Sequence, residues 1–246
     1  MTIFSAVLAQ QLRREPGRPL ITFYDHASGE RTELSVTTYA NWVAKTASLL
    51  DEVGLEHGQR LRIDLPAHWL TPVVLGAAWT IGLEVDLGSA EEPDGVVCGP
   101  DGLATWGPWA AGGSARPVLA SALLPLGVRF REPLPPGVLD LGVEVWGQPD
   151  AFTPYPPAEA DDVALRLPGE PPAFLSQAET WRTAAAGSLL ADGGRLLSVA
   201  SPASPPGFAT FTEPLAKGGS LVLVAHPDAD RLDSVITEER CTHRHP

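Results

Sequence analysis

Ile3, Phe4, Val7, Leu8 and Leu12 recur at helical spacing and stop before Pro16 and Gly17, which predicts an opening helix. Residues 20–24 form a short apolar run. The polar turn DHASGE joins it to 31–36 as a predicted hairpin. Thr38 is placed to cap a helix that Gly54 closes, with Tyr39, Trp42, Val43, Leu49, Leu50 and Val53 on its inward stripe and Thr46 its one polar member. A strand over 60–65, a largely apolar helix over 68–81 ended by Gly82, and short strands over 83–87 and 95–98 follow. Between 99 and 149 the periodicity weakens, and only 117–126 and 138–145 predict elements.

The alternation resumes after the Pro-rich stretch FTPYPPAEA at 152–160. It predicts a strand over 162–167, a helix over 176–190 that opens with the capping-box outline SQAE, and a strand over 195–200. A helix over 208–216, a strand over 220–225 and a helix over 229–240 complete the pattern. Strand–helix alternation at this spacing predicts an α/β fold with mostly parallel sheets and right-handed crossovers. The Pro-rich stretch is the best boundary, giving two expected α/β lobes, 1–155 and 156–246.

Composition narrows the function. The 246 residues carry 17 basic and 30 acidic side chains, a formal net charge of −13. That balance, with no basic run, argues against a nucleic-acid partner and against an anionic membrane surface. No apolar window is long enough to span a membrane, and the N-terminus lacks the basic stretch of a signal peptide. A cytoplasmic protein is expected. Cys98 and Cys241 are the only cysteines, which disfavours a disulfide scaffold or a structural zinc site.

No Gly-x-Gly-x-x-Gly, Walker-type phosphate loop or Gly-x-Ser-x-Gly elbow is present. Cys98 ends a strand and is read as a small buried hydrophobe in preference to a reactive thiol. His68 opens a helix, where capping or packing outweighs catalysis. His243 and His245 read as a solvated tail, not a metal pair. Glu91–Glu92, Asp161–Asp162 and Glu238–Glu239 read as solvated acidic pairs, and Asp228 and Asp230 as complements to a helix dipole. No catalytic residue, metal ligand or cofactor is assigned from these features.

Two stretches carry a family resemblance. The segment from ELSVTTYANW to TIGLE resembles the opening of the adenylate-forming enzymes: acyl-CoA synthetases, peptide-synthetase adenylation domains and luciferases. The matching positions are Thr38, Tyr39, Gly54, Gly58, Leu65, Pro66 and Gly82. DDVALRLPG, LSQAETW, PLAKGGSLVLV and ITEERCTH resemble a later stretch of the same proteins, through Pro214, Leu215, Gly218, Gly219, Glu239, Arg240 and Thr242. The resemblance implies the layered α/β lobes of the N-terminal subdomains of that large domain.

Its chemical positions are missing. The resemblance implies a Ser/Thr/Gly-rich loop ending in Pro-Lys-Gly after the strand at 162–167, where backbone N–H groups and a cation wrap the ATP phosphates. The sequence reads LRLPGEPPAFLSQ instead, leaving Gly169 and prolines that cannot donate. An aromatic or His before Gly is implied near 199–207, where VASPASPPG has neither. Later motifs, the ribose-binding Asp and the lid with its catalytic Lys fall past Pro246 in the resemblance. Lys45 on a helix and Lys217 in a turn leave no Lys for either family role.

Three readings stay open. The first is a non-catalytic, shortened relative that binds a small acyl or nucleotide-like ligand or acts in regulation. The second is an interaction subunit, a homo-oligomer or the partner of another chain, with an exposed sheet edge expected near 221–224. The third is an enzyme with a rebuilt site, for which Cys98, His68 and Asp162 are the first residues to inspect.

Overall fold

The computed structural model describes residues 2–89, 91–112, 116–169, 171 and 173–245. Twelve strands and eight α-helices are assigned among them. The chain runs α1 (Phe4–Arg14), β1 (Pro19–Asp25), β2 (Arg31–Ser35), α2 (Val36–Glu52), β3 (Arg60–Asp64), α3 (Leu70–Ile81), β4 (Glu84–Asp86) and β5 (Gly95–Cys98). It continues through α4 (Leu103–Ala111), β6 (Val118–Ala120), β7 (Val138–Asp140), α5 (Leu141–Glu144), β8 (Val163–Leu167), β9 (Ala173–Ser176) and α6 (Gln177–Ala186). The last elements are β10 (Arg195–Ser198), α7 (Phe208–Ala216), β11 (Ser220–Ala225), α8 (Ala229–Glu238) and β12 (His243–His245).

The strands form two sheets, ordered β12-β10-β11-β1-β2 and β7-β6-β5-β3-β4-β8-β9. Only the edge strands β2 and β9 run antiparallel to their neighbours. The expected α/β class with mostly parallel sheets is therefore the observed one. The expected division at 155/156 is not how the strands sort. β1 pairs with β11 and β4 with β8, so each sheet takes strands from both sides of the Pro-rich stretch. Proline density reports a local break, whereas strand pairing is settled by which faces can be buried together.

Period-2 alternation shows how the layers stack. In the five-stranded sheet, Leu221 and Leu223 face the main core, while Leu197, Val222 and Val224 pack with Leu232 and Val235 of α8. In the seven-stranded sheet, Ile63, Val97 and Leu119 face the main core. Val96, Cys98, Val118 and Ala120 face Ala110, Trp106 and Trp109 of α4. Helices α1, α2, α3, α6 and α7 fill the space between the sheets.

Local chemistry sets several element ends. The cap of α2 is Ser35, not Thr38: its hydroxyl accepts from Thr38 N at 3.1 Å, starting the helix earlier than expected. Ser176 and Glu179 close the expected capping box on α6. Gly82 ends α3 at φ +89°, and a Cβ there would lie 2.2 Å from the His57 ring, so geometry and space both require glycine. Helix α4 and strand β9 carry no clear period in the sequence, since α4 reads LATWGPWAA with Pro108 inside it.

Two expectations about the chain's end are corrected. His243 and His245 are not a solvated tail; they form β12, which pairs in parallel with β10. Residues 221–224 are not an edge, because β11 lies between β10 and β1 with every residue buried. The acidic pairs also do more than meet solvent. Glu239, only 10% exposed, takes Arg31 at 2.8 Å and binds the Arg195 guanidinium and the Tyr24 hydroxyl. Burial pushes its carboxyl up, and the bonds from Tyr24, Arg31 and Arg195 outweigh that and hold it below the usual range. Glu239 therefore ties the end of α8 to β1, β2 and β10. Glu239→Ala is expected to lower stability by about 2–3 kcal/mol in urea unfolding, below the full cost of breaking a buried pair because Arg31 is partly solvated.

Candidate functional site

Parallel α/β sheets present their strand carboxyl ends to ligands. Here the carboxyl ends of β1, β3 and β10 meet between the two sheets. The loop after β10 reaches across, and Ser201 Oγ donates to Leu65 O at 2.9 Å. His68 follows β3 and sets its ring edge against Phe23 of β1, with centroids 4.8 Å apart. The hairpin of β8 and β9 lies in the larger sheet, where the resemblance implies a phosphate loop.

That hairpin is tight. Leu167 pairs directly with Ala173, so residues 168–172 alone connect the strands, and three of these five are proline. Glu170 and Pro172 lie outside the described residues; Gly169 lies within them, at φ +153°. Proline has no N–H, so the connection is poor in the donors that cradle a phosphate. Neither lysine is free to supply the cation. Lys45 Nζ donates to Gln148 O and pairs with Asp150 at 3.1 Å. Lys217 Nζ donates to the carbonyls of Gly187 and Leu190, the latter at 3.0 Å.

The three residues first in line for a rebuilt active site are not brought together. Cys98 is fully buried on the outer face of the larger sheet, beneath α4. Burial, and then the charge of Asp64, push its thiol up to about 12. Asp162 sits before β8 and accepts from Glu159 N. Its carboxylate lies 2.7 Å from His57 Nε2, so it is a paired group and not the solvated one expected. His68 is 3% exposed, and burial drives its pKa down to about 3 against a smaller opposing pull from Asp25. Its Nδ1 accepts from Leu70 N at 3.2 Å, which assigns the proton of the neutral ring to Nε2. Capping and packing thus describe His68, as the sequence suggested.

Other polar groups at the strand ends escaped the sequence reading because their partners are distant in the chain. Asp86, fully buried, takes Arg62 at 2.7 Å and the N–H groups of Gly88 and Ser89. At the ends of β1 and β11, His226 lies 2.8 Å from Asp25, and His26 Nδ1 accepts from Asp228 N. Asp228 caps α8 through Asp230 N, in line with its expected helix-start role. The described residues hold no group of three or more side chains suited to a metal ion. No helix among them is long and apolar enough to cross a membrane.

These features define a class: the fold is that of the N-terminal part of the adenylate-forming enzymes. An acyl-CoA synthetase from Brucella canis superposes with a TM-score of 0.79 at 17% identity, over 99% of this chain and 47% of its own. A benzoate CoA ligase from Burkholderia xenovorans LB400 gives 0.75 at 17% identity, over 98% and 49%. The chain thus spans about half the length of these solved structures. No family model matches it. A TIGR03089 family protein of Mycobacterium tuberculosis (strain ATCC 25618 / H37Rv) is 37% identical over 247 residues, 98% of this chain and 97% of that relative. The chain belongs to the TIGR03089 family.

Two measurements follow from the buried groups. His68 holds its proton less tightly folded than unfolded, so acid favours unfolding. The loss begins as pH falls below about 6.5 and grows toward 3, reaching roughly 2 kcal/mol at pH 5. His68→Gln keeps an acceptor for Leu70 N and should flatten the stability change between pH 7 and 5 by that amount, read by urea titrations at each pH. For Cys98, a pKa of about 12 leaves about 10⁻⁴ of the thiol ionised at pH 8. Iodoacetamide should therefore leave it unmodified in the native protein and label it once unfolded, as read by peptide mass spectrometry.

Proposed function

We propose that this chain works by binding and not by adenylation: a non-catalytic, cytoplasmic relative of the acyl-CoA ligases. Its occupant is a small acyl or nucleotide-like ligand, or another protein chain. The observation that carries this reading is the β8–β9 connection, whose residues 168–172 are too few and too proline-rich to wrap a triphosphate. Transfer to a nucleotide phosphate needs cations and N–H groups aimed at developing charge. Lys45 is instead held by the Gln148 carbonyl and the Asp150 carboxylate, and Lys217 by backbone carbonyls. Acyl groups are the favoured ligand class because the similar structures include an acyl-CoA synthetase and a benzoate CoA ligase.

Calorimetric titration of the pure protein with Mg·ATP, and separately with a non-hydrolysable acyl-adenylate analogue, tests this. Mg·ATP is expected to give no saturable heat, and silence of the analogue as well would leave another protein chain as the occupant. Saturable Mg·ATP binding in the micromolar range would overturn the reading and reopen a search for acyl substrates. Binding of the analogue alone would mean that an acyl pocket persists without the triphosphate site.

A further inference from the structure

Segment 124–146 presents the main run of exposed large apolar side chains. Leu126 is 70% exposed, and Val128, Val143 and Trp146 are also open to solvent. They form one surface: Gly127 lies against Trp42 and Trp69, Trp42 meets Trp146 edge to face with centroids 5.4 Å apart, and Gly142 packs on the backbone of Val128. Val143 and Trp146 are three residues apart across α5 and the turn after it, which places both on one side. Leu126 holds φ +64°, a left-handed backbone that a leucine rarely adopts, while its side chain stays in water. A groove of about 890 Å³ runs beside it, lined in part by Val128, Arg129, Arg131 and Glu132.

The charges on this surface identify the occupant. Arg129, Arg131, Glu132 and Glu144 are all exposed, and none forms an ion pair among the described residues. These four exposed charges cancel, with both signs unpaired; Asp140, whose carboxylate accepts from Phe130 N and Gly142 N, brings the segment to −1, on a chain of net charge −13. Two copies repel over most of their surfaces and least where these patches meet. A two-fold axis through the patch would bring the arginines of one copy to the glutamates of the other and cover the apolar residues of both. A purely acidic or purely basic partner would be opposed by half of these charges. We propose that this chain forms a symmetric homodimer through the 124–146 face, whether or not it binds a ligand between its sheets.

Sedimentation velocity on the full chain, up to about 100 µM, tests it without any ligand. The wild type is expected to dimerise. R129E/R131E and E132R/E144R, changed only at exposed positions, should each weaken self-association by at least about tenfold, while their mixture should form the heterodimer. Leu126→Asn suits the left-handed backbone, so at concentrations too low for dimerisation it should leave thermal stability equal or higher, while weakening the dimer at higher ones. A monomeric wild type would overturn the proposal, as would a dimer indifferent to all these variants or charge variants that fail to associate when mixed.

Discussion

Helix α3 must be covered on every side. Of its twelve residues only Thr80 is not buried, so no single sheet could satisfy it. One flank lies on β3 and β4 of the larger sheet, and the other meets α1 and α2, of which α2 packs in turn toward β1. Each large apolar side chain taken from water contributes about 1.5–3 kcal/mol, enough to make this shared helical layer decide the architecture. Its polar centre is Gln177, fully buried, whose Oε1 accepts from Phe4 N and Trp181 Nε1. Trp79 Nε1 donates to Ala164 O at 2.9 Å. Helices α1, α3 and α6 are thereby locked to one another and to β8 through groups that would be costly to leave unpaired.

The elements legible in the sequence are those whose burial has a single period. Residues 208–216 and 220–225 match α7 and β11 residue for residue, because one carries a helical stripe and the other an unbroken apolar run. What could not be read is whatever depends on distant partners. β1 and β2 look like a free-standing hairpin until β11 adds to β1 in parallel, about two hundred residues later. Glu239 looks like a solvated helix end until Arg31 and Arg195 reach it. His243 and His245 look like a tail until the open edge of β10 accepts them. Sheet membership, and with it the division of the chain, is a property of such meetings and not of local composition.

The same distinction explains why the family frame was readable and a chemical site was not. The positions that carry the resemblance perform structural work here. Tyr39 donates to Pro72 O at 2.9 Å, binding α2 to α3, and the Pro66 carbonyl accepts from Thr71 at the start of α3. Gly219 N closes the end of α7 on Pro214 O, and Thr242 Oγ1 accepts from Arg195 N to set β12 beside β10. Gly82 clears the His57 ring. Each would be needed by any protein with this layering, whatever it binds. A phosphate-handling loop serves no such purpose in the fold. In this chain residues 168–172 are enough to carry the pairing of Leu167 with Ala173. Similarity in the packing positions therefore carries the architecture across to this chain, and activity has to be argued from the groups that the architecture leaves free.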